Sequence, residues 1–294
     1  VFEERLGAVA MRRESLGFRT KLLGVVLLCL AHPNAAFAEA PSNAHEVRAS
    51  YRVGVASIDL GVFNLTGRLG RNDYALKAQG EFSILAGLLY KAKGQTQSNG
   101  TLRDATPLPR RFDFSYADTN KKQAIEIVFG NEAAPTVTRT PKKRPDKKAV
   151  PISDEQLRNV LDPLTAAFLS VHARVPAGDV AVCDQTLQVF DGKQLFELVL
   201  SPRRTEDLGP KAAGGPQAAA VCGVRYRPIG GHRPDSSTVA FLEKTEDIEA
   251  WLVPVPGTEF FIPYKVVVPT SWGDGMVKLT KLKTEPAARR ASAR

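Results

Sequence analysis

The sequence predicts a mainly β protein: a large curved antiparallel sheet, a half-barrel or β-spiral, wrapped around one principal helix. Three observations carry this. Apolar and polar residues alternate with period two through most of the chain. Asp191-Gly192 separates two such alternating runs, the pattern of a tight hairpin, because both residues accept positive φ. Near Leu164, in contrast, the apolar residues recur with the period of a helix.

The chain carries 294 residues, 43% of them apolar, which is ordinary for a globular protein. Ahead of the patterned region, Met11 opens a basic stretch with Arg12, Arg13, Arg19 and Lys21. Leu22 to Ala31 follows as an apolar run of about ten residues, too short to span a bilayer. Ala36-Phe37-Ala38 then has the small-x-small form of a cleavage site. The expectation is a signal peptide over 1–38, with an extension upstream of Met11, cleaved after Ala38. An uncleaved anchor is the alternative. Cys29 follows the bulky Leu28, which does not suit lipidation.

The remaining chain reads as one β-rich domain over 39–283 and a disordered tail over 284–294. Tyr51, Val53 and Val55 alternate with polar neighbours, then Phe63, Leu65 and Leu69. Arg71-Asn72-Asp73 turns the chain into Tyr74, Leu76 and Ala78, and Leu88, Tyr90 and Ala92 continue the series. Asn99-Gly100 is a turn signal before Phe112, Phe114 and Tyr116, and Ile125, Ile127 and Phe129 close the first half. One apolar and one polar face per strand suit a half-solvated antiparallel meander.

Arg139–Lys148 breaks this pattern with six basic residues and two prolines. It reads as a solvated linker, with a docking site for phosphates as the alternative. The helix follows. Ser153 with Gln156 forms a capping box, and Asp162-Pro163 supplies an N-cap and a first-turn proline. Leu164, Ala167, Phe168 and Val171 make one apolar stripe over Pro163–Val171, and Val175-Pro176 with Gly178 ends it. Such a helix packs inside the curve of the sheet.

A two-residue turn at Asp191-Gly192 pairs Phe190 with Lys193 and puts Leu187, Val189, Phe196, Leu198 and Leu200 on one face. Cys183 precedes this hairpin and Cys222 begins the strand that returns after it. Two cysteines in an exported chain imply a disulfide, with two separate buried thiols as the alternative. In a simple meander the two positions lie about 10 Å apart, beyond the reach of a disulfide. The bridge therefore requires the segment before Leu187 to cross under the sheet, or the return strand to pair on its other side. Gly209–Ala220 is a long Gly/Pro/Ala loop. Asp235–Asp247 is unpatterned and reads as loop. Trp251–Pro256 suits an edge strand because of its prolines. Phe260 to Val268 and Val277 to Leu279 form the last two strands.

No catalytic constellation is visible. His45, His172 and His232 lack ligand-spaced partners, and no HExxH, P-loop or G-x-S-x-G run occurs. The expectation is a non-enzyme with no cofactor and no metal. The formal charge of +9 would point to nucleic acid in a cytoplasmic protein; export points instead to anionic envelope surfaces. Phe63, Phe112, Phe114, Phe129 and Phe168 are candidate contacts for an apolar ligand on the concave face. A filled core is the alternative reading of the same aromatics.

From Tyr51 to Leu282 the chain resembles the exported bacterial family catalogued as domain of unknown function 3108. The resemblance rests on Tyr51-Arg52-Val53, Gly87-Leu88-Leu89-Tyr90, Asp162-Pro163-Leu164 and Cys183-Asp184 leading into Val189-Phe190-Asp191-Gly192. It rests also on Val221-Cys222-Gly223-Val224-Arg225-Tyr226 and on Trp251-Leu252 before Val255-Pro256-Gly257-Thr258. The family carries no established activity. Its patterning is similar, more loosely, to the curved sheets of periplasmic lipoprotein carriers and of disulfide-bearing β-spiral envelope-integrity proteins. Export, the lack of a catalytic constellation, the concave aromatic wall and the positive charge lead to the expectation of a periplasmic envelope-maintenance protein that binds a lipid, another apolar ligand or an envelope partner, with no transmembrane segment after cleavage. The alternative is a structural interaction module without a ligand.

Overall fold

A computed structural model describes residues 44–56, 58–84, 90–130, 133–142, 144, 146–209 and 217–287. The expected signal peptide with its cleavage site, Leu88 and most of the Gly/Pro/Ala loop lie outside the described residues. The first seven strands are β1 (His45–Val55), β2 (Ile58–Leu69), β3 (Asp73–Ile84), β4 (Tyr90–Arg103), β5 (Thr106–Asp118), β6 (Lys122–Val128) and β7 (Thr136–Thr140). Helix α1 (Pro163–Phe168) and a 3-10 turn (Val180–Cys183) follow. Then come β8 (Gln185–Phe190), β9 (Leu195–Asp207), β10 (Ala218–Gly230), α2 (Ser237–Lys244), β11 (Ile248–Pro254), β12 (Phe261–Val268) and β13 (Gly275–Pro286).

All thirteen strands join one antiparallel sheet in the order β7-β6-β5-β4-β3-β2-β1-β13-β12-β11-β10-β9-β8. Only β1 against β13 breaks the sequential meander, and this pairing welds the two halves. Register explains the burial. Leu65 faces Ala78 across β2 and β3, and Ser98 faces Phe112, which faces Ile127, so alternate residues share one inner side.

The sheet rolls up until its ends meet but does not close. On a flat sheet β6 and β9 would be ten strand spacings apart, roughly 48 Å. Yet a Cβ added to Gly192, in the β8–β9 turn, would lie 3.1 Å from Ile125 and 3.3 Å from Ile127 of β6. Leu161 covers part of the β8 edge, its N–H donating to the Gln188 carbonyl and its carbonyl accepting from Phe190, each at 2.8 Å.

Two adjoining cores result. One contains Tyr51, Ile127, Leu164, Leu169, Leu195 and Ile262. The other contains Cys183, Leu187, Val189, Leu200, Cys222 and Phe261, and Ala166 of α1 reaches into it. Strands β8 and β10 to β12 and the first half of β9 thus bury residues on both faces, whereas Ser201–Thr205 of β9 are exposed and β2 to β7 keep a polar outer face. The predicted stripe Leu187, Val189, Phe196, Leu198 and Leu200 gathers in the second core.

Several expectations are corrected. The hairpin turn holds four residues, so Phe190 pairs with Leu195 rather than Lys193. Asp191 Oδ1 accepts the N–H groups of Lys193 and Gln194 at 2.7 and 2.6 Å, which stabilises the longer loop. The slip is two residues, so every side chain keeps its face. Asn99-Gly100 lies inside β4 at a bulge, and the turn comes at Asp104-Ala105, both with positive φ. Trp251–Pro254 is not at an edge: β11 lies between β10 and β12, with Pro254 as its last residue. Asp235–Asp247 contains α2, capped by Ser236. Thr284–Pro286 extend β13 beyond the expected domain boundary.

Helix α1 stops at Phe168 rather than Val171. Beyond it the chain extends to pair with the start of β12: Phe261 N–H donates to the Val171 carbonyl and Ala173 N–H to the Glu259 carbonyl. That competing sheet partner ends the helix early, leaving Ala167 exposed while Leu164 and Val171 are buried. The Ser153–Gln156 capping box forms its hydrogen bonds, but on turns rather than a helix.

Tyr51 is fully buried, stacked on Phe63 at 4.7 Å between centroids and edge-on to Phe168 at 5.5 Å. Its hydroxyl has no hydrogen-bond partner among the described residues, and burial pushes its pKa up. Removing an unpaired buried hydroxyl relieves a desolvation penalty, so Tyr51→Phe is expected to stabilise by about 1 kcal/mol. A urea midpoint that falls instead would show the hydroxyl to be bonded in solution.

Candidate binding groove at the open seam of the sheet

Where the rolled sheet fails to close, a groove of about 1090 Å³ opens between β7, the following basic segment and the β8–β9 turn. Register places Ile125 opposite Arg139 and Ile127 opposite Val137, so Ile125, Val137 and Arg139 share one side of β6 and β7. The alternating Thr136, Thr138 and Thr140 lie on the other.

The segment expected to be a linker, Arg139–Lys148, begins inside β7 and leads into the far wall at Ala149–Ile152. Val150 fixes it, donating its N–H to the His232 carbonyl at 2.9 Å and accepting the Gly231 N–H at 2.8 Å. Gly231 has φ +75°, and a Cβ there would come within 1.8 Å of the Lys193 carbonyl oxygen; only glycine lets the turn approach so closely. The Arg139 guanidinium donates to the Gly192 carbonyl and so bridges the two ends of the sheet.

The groove is two-sided in chemistry. Ile125, Val137, Val150, Pro151 and Ile152 are its apolar part, and Arg139, Lys142, Arg144 and Lys193 its cationic part. Asp146 and Asp191 also line it. Two further concavities, of about 400 and 730 Å³, open on the polar outer face of the first half of the sheet. The larger carries the Lys93–Glu81 ion pair at 2.6 Å.

The aromatics offered as ligand contacts gather elsewhere. Phe112 is buried, and Phe63, Phe114, Phe129 and Phe168 pack against the first core. Phe63 and Phe168 meet edge-on at 6.1 Å. Phe114 also borders the smallest concavity, and none of the five lines the seam groove.

Cys183 and Cys222 form the disulfide, both fully buried, with Cα atoms 5.3 Å apart. Of the two routes that the sequence left open, the first is taken. The 3-10 turn before β8 packs on β9 and β10, bringing Cys183 beneath Cys222.

A second polar cluster lies deep in the core. Fully buried Asp162 accepts the N–H groups of Leu164 and Thr165 on Oδ1, each at 3.0 Å. Its Oδ2 accepts the hydroxyls of Ser98 at 2.7 Å and Thr165 at 2.6 Å. Tyr74 lies 3.0 Å from Thr165 Oγ1, and with the Thr165 proton already given to Asp162, Tyr74 must donate. All four acceptor positions of the carboxylate are used, which suits a clamp between α1 and β3–β4 rather than a reacting group. His172 contacts Phe260 edge-on, and its Nδ1 lies 3.1 Å from the Ser170 carbonyl. Among the described residues no three His, Cys, Asp or Glu side chains converge on a metal position, and no helix is long and apolar enough to cross a membrane.

A family profile described as protein of unknown function (DUF3108) matches residues 47–280. No curated protein matches the chain. Among solved structures, the chain is similar to a β-barrel-like protein of domain of unknown function DUF1849 from Brucella abortus. That match has a TM-score of 0.46 and 9% identity, over 82% of this chain and 98% of the other.

Proposed function

For this chain, which belongs to the DUF3108 family of proteins of unknown function, we propose a non-enzymatic role in upkeep of the bacterial envelope, exercised in the periplasm. In this reading the seam groove binds the apolar part of a ligand or partner peptide. The observation that carries it is the groove itself: about 1090 Å³, just above the usual range of ligand-pocket sizes, with Ile125, Val137, Val150, Pro151 and Ile152 in its lining. The export signals read at Met11–Ala38 support the compartment, as does the buried disulfide, a bond that persists where the surroundings are oxidising.

The test uses a neutral apolar fluorophore, N-phenylnaphthylamine, titrated into the mature protein. Saturable binding of one molecule per chain is expected, and Val137→Trp, which fills the groove, should abolish it with the fold intact by circular dichroism. Absence of binding, or equal binding by the filled variant, would defeat the reading. The contact of Tyr51, Phe63 and Phe168 favours a second reading, a structural interaction module with a filled core, and that reading would then stand.

A further inference from the structure

We infer that the seam groove takes a single anionic amphiphile, an aliphatic chain bearing one phosphate or carboxylate group. The inference rests on the binding role proposed for that groove and adds the chemistry of what fills it.

What distinguishes the groove is that several cations without ion pairs line one concavity. Several arginines elsewhere sit on carboxylates, among them Arg48 on Glu46, Arg111 on Asp113 and Glu126, Arg174 on Glu259 and Arg204 on Glu249, while Arg103, Arg110, Arg158 and Arg227 make no ion pair among the described residues. Arg139, Lys142, Arg144 and Lys193 make no ion pair among the described residues, although all four line one groove. The two acids beside them are engaged with backbone. Asp191 Oδ1 accepts from Lys193 and Gln194, and Asp146 Oδ1 accepts the Lys148 N–H at 3.0 Å. Among the described lining residues, four cations against two carboxylates leave a formal surplus of two positive charges.

Arg139 gives the surplus a direction. One terminal nitrogen is held by the Gly192 carbonyl, which fixes the plane of the guanidinium at the seam. The other terminal nitrogen, Nη1, has no partner among the described residues and is open to solvent, whereas Nε is buried out of reach. An arginine anchored on one side with an unspent N–H on another is arranged to receive an oxyanion, for which the planar fork of the guanidinium is suited. Ile125, the cross-strand partner of Arg139, and neighbouring Val137 continue the groove toward the first core. Ile152 packs against that core from the opposite wall. Cation and apolar floor are therefore adjacent in one concavity rather than spread over a flat face. That favours one amphiphile molecule over a membrane surface or a free anion.

Dodecyl phosphate, kept below its micellar concentration, is the probe, with dodecyl maltoside as the uncharged chain and inorganic phosphate as the isolated head. Native mass spectrometry and calorimetry of the mature chain should show one dodecyl phosphate bound, at least about tenfold more tightly than either comparison compound. Arg139→Gln should weaken it by about tenfold or more, and so should the paired Lys142→Gln and Arg144→Gln substitutions, which lie on exposed residues and spare the seam contact. Phenylnaphthylamine binding should not change in the paired variant. Equal affinity for dodecyl phosphate and dodecyl maltoside, indifferent to these substitutions, would overturn the anionic assignment while leaving the groove reading in place. Failure of every chain-bearing probe, the fluorophore included, would overturn both. Inorganic phosphate binding as tightly as dodecyl phosphate would overturn the amphiphile. A glutamate-rich peptide that binds where dodecyl phosphate does not, or sedimentation with phosphatidylglycerol vesicles without binding of the monomer, would also overturn it.

Discussion

Removing either cysteine should lower the stability of the mature protein by about 4 kcal/mol, the chain-entropy value for a cross-link closing about 40 residues. Cys183 and Cys222 are 39 residues apart in sequence. Against total stabilities of about 5–15 kcal/mol such a loss is a large fraction. The bond also has a local task. It ties the turn before β8 to β10, and that crossing segment covers the second core, where Val182, Val189, Ala220 and Leu252 are buried around the two sulfurs. Cys183→Ala and Cys222→Ala should therefore be equally destabilised, and the double variant no worse than either, since all three lose the same cross-link. Urea unfolding of the four proteins, with and without reductant, is the measurement. Single variants as stable as the parent would show that the cross-link contributes nothing, and a double variant with twice the loss would place the effect in packing around each sulfur.

Features set by local rules are legible in the sequence, and those set by distant partners are not. The face assignment of β8 and β9 survives although the turn is two residues longer than expected, because a shift of two preserves the alternation. What the dipeptide Asp191-Gly192 could not reveal is the Asp191 carboxylate closing the loop on Lys193 and Gln194. Asp162-Pro163 announced the start of α1 correctly. Its early end was hidden because it depends on Phe261, about ninety residues away, competing for the Val171 carbonyl. The groove was legible only in part. The basic run at Arg139–Lys148 stood out, but nothing local says that Val150 is pinned to His232 or that β7 curls around to the β8–β9 turn. The size and period of the aromatics are visible in sequence, which makes them candidate contacts. Their packing on Tyr51 and one another is a product of the roll of the sheet.

Asp162→Ala should be about as severe as loss of the disulfide, costing about 3–5 kcal/mol, because it strands buried donors and removes a helix cap together. Among the described residues, this side chain is the acceptor that draws Ser98, Thr165 and the first turn of α1 to one point. Ser98→Ala, which removes one of its four donors, should cost only about 1 kcal/mol. Asp162→Asn separates shape from charge. It keeps the N-cap oxygen, and the amide nitrogen can turn toward the Ser98 and Thr165 hydroxyls, so most of the stability lost in the alanine variant should return. The charge leaves its mark in pH dependence. Burial raises the Asp162 pKa above the ordinary carboxylate value, outweighing the lowering by its hydrogen bonds from Thr165, Ser98 and Leu164. The folded protein therefore holds this proton to higher pH than the unfolded chain. The resulting stabilisation is fully present below the unfolded pKa and is lost as pH rises through the folded one. Glu249 and Glu259, held by Arg204 and Arg174, have lowered pKa values and act in the opposite sense, weakening the fold on acidification. The parent profile mixes the two trends, but the difference between parent and Asp162→Asn isolates the buried group. The parent's advantage over Asp162→Asn, measured by urea unfolding at a series of pH values upward from about 4, should shrink as pH rises. An advantage that grew with pH would mean that the cluster favours the carboxylate, and that its hydrogen bonds outweigh its burial.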